Sequence, residues 1–186
     1  MFCPIEGKRS EKGMNVPSEI QDCLKASDPL FSTHKASYME NCQRCVMAYE
    51  LRRRGYSVVA QPYIPGGADM LPYMDRRYGW PAVFEKQIIT DCSAVTQTQA
   101  KENIKRQMRA YGDGSRAIVK VNWLSRANGH LFMAENFKGR IYLYFIDPQT
   151  GSDDVAWYFQ YVAPGHVIIM RTDRVKFTKL VRLCCE

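Results

Sequence analysis

No run of residues in this 186-residue chain approaches the roughly 18 uninterrupted apolar positions that a membrane-spanning helix needs. The opening residues, Met1-Phe2-Cys3-Pro4-Ile5-Glu6-Gly7-Lys8, lack the apolar core of a secretory signal peptide. No internal repeat is visible, which excludes a solenoid or propeller. Also missing is an evenly spaced disulfide framework. The seven cysteines are an odd number, lie at 3, 23, 42, 45, 92, 184 and 185, and end in the adjacent pair Cys184-Cys185, a poor geometry for a bridge. Together these absences predict a soluble, mostly reduced chain suited to a reducing cytosol. What is present suffices for a core: 46% of the residues are hydrophobic, and the length suits about one domain.

The 26 Lys and Arg against 19 Asp and Glu leave a net charge of +7, which suits an anionic partner. The basic residues fall in short clusters, Arg52-Arg53-Arg54, Arg76-Arg77, and Lys101, Lys105, Arg106 and Arg109. The last set has helical spacing and reads as one solvated face. No recognised nucleic-acid motif accompanies it, so nucleic acid is not the expected partner.

Residues 1–38 are polar and punctuated by Pro and Gly, and read as a lead-in or linker with at most a short helix near Ser18–Lys25; residues 39–186 form the folded domain. Asn41 is a suitable N-cap, and Cys42, Cys45, Val46 and Tyr49 have the spacing of a buried helical stripe. Arg52–Arg54 suit the last turn and Gly55 its end. Tyr56–Ala60 reads as a strand, and 62–82 as a long loop rich in Pro and Gly. A second helix is predicted over Thr98–Tyr111, stopped by Gly112-Asp113-Gly114. Strands follow at Arg116–Trp123, His130–Asn136, Arg140–Ile146 and Gly165–Arg171, with a hairpin turn at Lys138-Gly139. Helices first and antiparallel strands second make an α+β domain.

Three segments carry chemistry. Asn41-Cys42-Gln43-Arg44-Cys45 opens a helix, where unpaired N–H groups carry partial positive charge and favour a thiolate. Cys42, directly after the cap, is best placed for this, and Cys45, one turn in, reads as packing. Asn128-Gly129-His130 opens a strand, with Gly129 permitting a sharp bend or a close approach. Asp147-Pro148-Gln149-Thr150-Gly151 follows an apolar strand. Pairing about Lys138-Gly139 sets residue 130 opposite 147, so Asp147 could orient the His130 imidazole. A Cys nucleophile, a His base and an Asp orienter are the triad of thiol acyl-transfer enzymes. Taken singly, each piece also has a plain structural reading as core cysteine, hydrogen-bonded histidine and turn.

Asn41-Cys42-Gln43-Arg44-Cys45-Val46 with Ala48-Tyr49-Glu50-Leu51-Arg52-Arg53-Arg54-Gly55-Tyr56 resembles the opening motif of the papain-fold toxin domains grouped as glutamine deamidases, found in polymorphic bacterial toxins and on phage head-associated proteins. The resemblance continues through 112–119, Gly129–Glu135, Asp147–Gly151 and Arg171-Thr172-Asp173, covering roughly residues 40–175. It implies a papain-like fold, with an N-terminal nucleophile helix packed on an antiparallel sheet that bears His and Asp. By position it implies Cys42 as nucleophile, His130 as base and Asp147 as orienting acid. Gln149, Asn41 and Cys45 are candidate supporting residues, Gln149 as a site-shaping or oxyanion-supporting group. It further implies a bacterial or phage origin, a target protein bearing a reactive glutamine, an immunity protein as candidate partner, and chemistry without metal or organic cofactor.

Rival readings stay open at this point. The same triad serves a cysteine protease or a transglutaminase-type acyl transferase. Cys42-x-x-Cys45 could be half a zinc site or a redox pair, although a second spaced pair and a preceding buried strand are lacking. Outside enzymes, the chain could be a virion-associated structural or adaptor protein, or a basic nucleic-acid-binding module. His166 is a spare candidate base, and His34 lies in the lead-in.

Overall fold

The computed structural model describes residues 23–25, 27–64, 71, 79–137 and 143–186; the predicted Lys138-Gly139 turn and much of the 62–82 loop lie outside them. The described residues divide into two compact units. One takes those up to Gln87 with Pro148–Gly151 and Val175–Glu186, the other Ile88–Asp147 with Ser152–Arg174.

In the first unit, a 3-10 turn at Phe31–Thr33 and the short helix α1 (Ala36–Met39) precede helix α2 (Cys42–Arg53). Its end follows the sequence closely. Gly55 takes a φ of 90°, Tyr56 N–H donates to the Leu51 carbonyl at 3.1 Å, and Gly55 N–H donates to that of Arg52 at 2.9 Å. That paired closure needs a left-handed residue, which glycine adopts without a Cβ clash.

The surroundings of α2 differ from the expected stripe. Gln43, Arg44, Glu50 and Arg53 are buried along with the apolar residues, while Cys42 itself is half-exposed. Buried polar groups require partners. Arg44 Nε donates to the Leu183 carbonyl at 3.1 Å, Arg54 Nε donates to Glu50 Oε1 at 2.7 Å, and the Arg54 guanidinium lies 4.5 Å from the centre of the Phe177 ring.

Residues 56–60 do not form the regular strand expected. They run extended and pair with the C-terminal residues through a single bridge, Ala60 to Cys185, flanked by bonds between Val59 and Glu186 and from Gln61 N–H to the Cys184 carbonyl. Within the lead-in, Leu24, Ser27 and Asp28 are buried, and Ala60 N–H donates to the Ser27 carbonyl at 2.9 Å.

The second unit holds β1 (Ile88–Asp91), α3 (Gln97–Tyr111), β2 (Arg116–Trp123), β3 (Gly129–Asn136), β4 (Leu143–Ile146), a 3-10 segment at Ala156–Gln160, and β5 (Val162–Arg171). The strands form one antiparallel sheet in the order β1-β5-β2-β3-β4, so the architecture is α+β as the sequence predicts. Thr96 Oγ1 caps α3 by accepting from Gln99 N–H, and Gly112, at φ 86°, ends it. Ala100, Ile104 and Met108, at helical spacing, share a core with Ala117, Val119, Val121, Phe132 and Ala134 of the sheet. The basic residues of α3 are all exposed or partly exposed. Lys101, Lys105 and Arg109 line a cleft of about 390 Å³ with Leu143, Tyr144 and Asp154, while Arg106 bonds Asn103. No described helix is long and apolar enough to cross a membrane.

Two irregularities shape the end of the sheet at which His130 stands. The β3–β4 register sets Met133 opposite Ile146, two residues out of step with pairing about Lys138-Gly139. A slip of two preserves which face each side chain takes, so the face assignment survives, while the turn itself lies outside the described residues. Between β2 and β5 the register shifts after Val121, and this bulge sets Trp123 opposite Val162. Gly129 answers a close approach: a Cβ there would fall inside van der Waals contact of the Val121 carbonyl oxygen. Gly129→Ala is therefore expected to cost about 1–3 kcal/mol by overpacking. Urea unfolding checks this, and an unchanged midpoint would contradict the close approach.

Candidate active site

His130 and Asp147 meet. His130 Nε2 lies 3.0 Å from Asp147 Oδ2, with the histidine side chain 12% exposed and the carboxylate fully buried. Tyr158, from the 3-10 segment, donates its hydroxyl to the same Oδ2 at 2.6 Å. Asp147 Oδ2 thus faces both the Tyr158 hydroxyl and His130 Nε2, and an ionised Asp147 would pair with the imidazole tautomer that carries its proton on Nε2. Three rings surround the imidazole. Trp123 stacks on it at 5.8 Å, Phe132 stacks at 6.3 Å, and Tyr158 meets it edge-on at 5.8 Å. By keeping water from the His–Asp bond, the rings strengthen it.

The helix start in the first unit is assembled around Asn41. This residue takes the N-cap position but makes no side-chain cap. Its side chain is buried; Nδ2 donates to the Gln61 carbonyl at 3.2 Å, and Oδ1 accepts from Cys45 Sγ at 3.2 Å and from Gln149 Nε2 at 3.1 Å. Gln149 Nε2 also donates to the Tyr38 carbonyl at 3.3 Å, so its amide hydrogens tie it to α1 and to the start of α2. The first backbone donors engaged in α2 are Arg44 and Cys45 N–H, both to the Asn41 carbonyl. Those of Cys42 and Gln43 have no acceptor among the described residues, as at most helix starts.

The two cysteines of the motif differ in kind. Cys45 is fully buried and donates to Asp28 Oδ2 at 3.5 Å as well as to Asn41. Cys42 is half-exposed, with its Sγ 3.5 Å from Gln43 Oε1. His166 is exposed on β5, and His34 is exposed in a left-handed turn. Among the described residues, no three His, Cys, Asp or Glu side chains gather as metal ligands would.

Four residues here had no part in the sequence argument. Tyr158 lies in an irregular segment without a signal. Trp123 could have been found, because it ends β2 close to the connection leading into His130. Asp28 sits in the polar lead-in, yet burial pushes its carboxyl above the ordinary 3.8, with hydrogen bonds from Cys45 and Asn41 pulling the other way, and its Oδ1 has no partner among the described residues. Gln43, whose Oε1 faces the Cys42 thiol, likewise has its buried Nε2 without a hydrogen bond among the described residues.

A family model described as papain fold toxin 1, glutamine deamidase, matches residues 40–152, more than half of the chain. The chain belongs to this family. Its fold is accordingly papain-like, and it is a papain-fold toxin domain of the glutamine deamidase group. The match takes in Cys42, His130, Asp147 and Gln149, and stops short of the span to 175 over which the sequence resembles the family. No curated protein and no solved structure matches the chain.

Two outcomes follow for this deamidase-family domain. Iodoacetamide on the native protein at pH 8 should label Cys42 and Cys23, both half-exposed, and spare Cys45, Cys92, Cys184 and Cys185, all buried. Burial and the Asp91 charge push the Cys92 thiol up to about 11, leaving about one thiolate in a thousand at that pH. Peptide mapping reads the pattern, and faster labelling of Cys45 than of Cys42 would contradict it. Asp28, with its native pKa raised, holds its proton longer in the folded than in the unfolded state, so its contribution to stability falls as pH rises above 3.8. Asp28→Asn should therefore gain in urea midpoint over wild type on going from pH 4 to pH 7. A constant difference would show that the carboxyl titrates alike in both states.

Proposed function

We propose that this domain acts as a toxin effector, deamidating a glutamine side chain of a target protein through a thioester on Cys42. The reading rests on family membership and, above all, on the His130–Asp147 pair with its Tyr158 donor. Because Nε2 is committed to Asp147, the base is Nδ1. It takes the Cys42 proton, and Sγ attacks the amide carbon as the carbonyl electrons move onto oxygen. The N–H groups of Cys42 and Gln43, at the head of α2, receive that oxyanion. Collapse of the intermediate breaks the C–N bond, and ammonia leaves with the proton held on Nδ1. Water then gives a proton to Nδ1 and attacks the thioester carbon. The thiolate departs, and the product is glutamate. Asp147 holds the ring and stabilises the imidazolium formed in each half-reaction, and Gln149 fixes the residues on either side of the helix start.

The test is incubation with a capped glutamine peptide, reading ammonia and the glutamine-to-glutamate mass change. Wild type should release ammonia, and Cys42→Ala should release none. Asp147→Asn should lose on the order of 10²–10⁴-fold, and Tyr158→Phe about tenfold in kcat. Hydroxylamine should trap the acyl group as a hydroxamate. Cleaved peptide would make the enzyme a protease, and incorporation of an added primary amine in place of deamidation would make it a transglutaminase. Ammonia release that survives Cys42→Ala would remove the thiol mechanism altogether.

A further inference from the structure

Leu124, Trp157 and Tyr161, all in the second unit, are large apolar side chains left 58%, 55% and 56% exposed. They are not scattered. Leu124 N–H donates to the Tyr161 carbonyl at 2.8 Å, and the Trp157 and Tyr161 rings meet edge-on at 6.1 Å. The patch is continuous with the cage around His130. Leu124 follows Trp123, whose ring stacks on the imidazole, and Trp157 precedes Tyr158, which holds Asp147. Two ring contacts connect Trp157 to the base: 4.6 Å from Trp157 to Tyr158, and 5.8 Å from Tyr158 to His130. A substrate whose amide reaches His130 can therefore set a flanking residue against these side chains.

Exposed aromatic residues cost solubility and bring nothing to the core, so a cluster of them beside a reacting group marks a contact surface. Trp and Tyr contribute large apolar area with few rotatable bonds, and so lose little entropy when a partner covers them. Resting on the deamidase reading, we infer that Leu124, Trp157 and Tyr161 form a specificity surface that takes an apolar side chain flanking the target glutamine. An extended peptide advances about 3.3 Å per residue. With Trp157 no farther than two ring contacts from the imidazole, the side chain that reaches it stands within about three residues of the glutamine.

The experiment compares three capped peptides around one glutamine: Leu three residues before it, Leu three residues after it, and Ser at both places. Wild type should turn over one Leu peptide about tenfold faster in kcat/KM than the Ser peptide, chiefly through KM. The Leu124→Ser/Trp157→Ser/Tyr161→Ser variant should lose that preference and keep the wild-type rate on the Ser peptide, which also reports that it is folded. Binding to Cys42→Ala, followed by calorimetry, supplies a second readout free of turnover. Equal turnover of all three peptides by wild type would overturn the surface while leaving the deamidase reading intact. A Leu preference that persists in the triple variant would overturn it as well. No turnover, but preferential Leu-peptide binding that requires Trp157, would overturn the deamidase reading and uphold the surface. Neither turnover nor binding would remove both.

Discussion

A carboxylate with no exposure to water must be met by donors, or it will not remain charged. Asp147 is such a group, and much of the second unit can be understood as meeting that demand. β3 brings the imidazole, the 3-10 segment brings the Tyr158 hydroxyl, and the bulge after Val121 accompanies the turn of the chain that sets Trp123 on the imidazole. Because the rings exclude water, each bond counts for more, and so does the loss of any one of them. The same interaction thus sets local stability and the orientation of the imidazole.

The first unit shows a comparable choice in helix α2. An enclosed helix made of apolar residues would be simpler to stabilise, yet α2 buries Gln43, Arg44 and Glu50 and leaves its first cysteine half-exposed. Asn41 spends its side chain on Gln61, Cys45 and Gln149 instead of capping the helix. These bonds fix where the helix begins and hence where Cys42 stands. Polar groups retained in a core at some cost to stability are a common mark of a functional site.

How far the sequence discloses this depends on the strength of each local signal. β2 is legible residue for residue because Arg116–Trp123 is dense in β-branched and aromatic positions, and α3 because Thr96 and Gly112 bracket a clear helical period. β1 is missed, being four residues long with both isoleucines exposed. The enclosure of α2 is hidden by its polar residues, whose partners at 177 and 183 are far away in sequence. That the His130 and Asp147 side chains meet follows from strand order and face, although the register sets the two residues two positions out of step instead of directly opposite. Tyr158 and the buried Asp28 are invisible for a different reason. Their roles come from tertiary contacts made out of irregular segments, and irregular segments have no period to read.

The bond from Arg44 to the Leu183 carbonyl spans 139 positions. A ribosome delivers helix α2 early and this acceptor only after all of the intervening chain. Closing so distant a contact is slow. Until Leu183 to Glu186 have been made, Arg44 lacks this acceptor, and Val59 and Gln61 lack the residues with which they pair. Synthesis itself thus imposes a delay, keeping the segment that carries Cys42 unfinished until the rest of its unit has emerged.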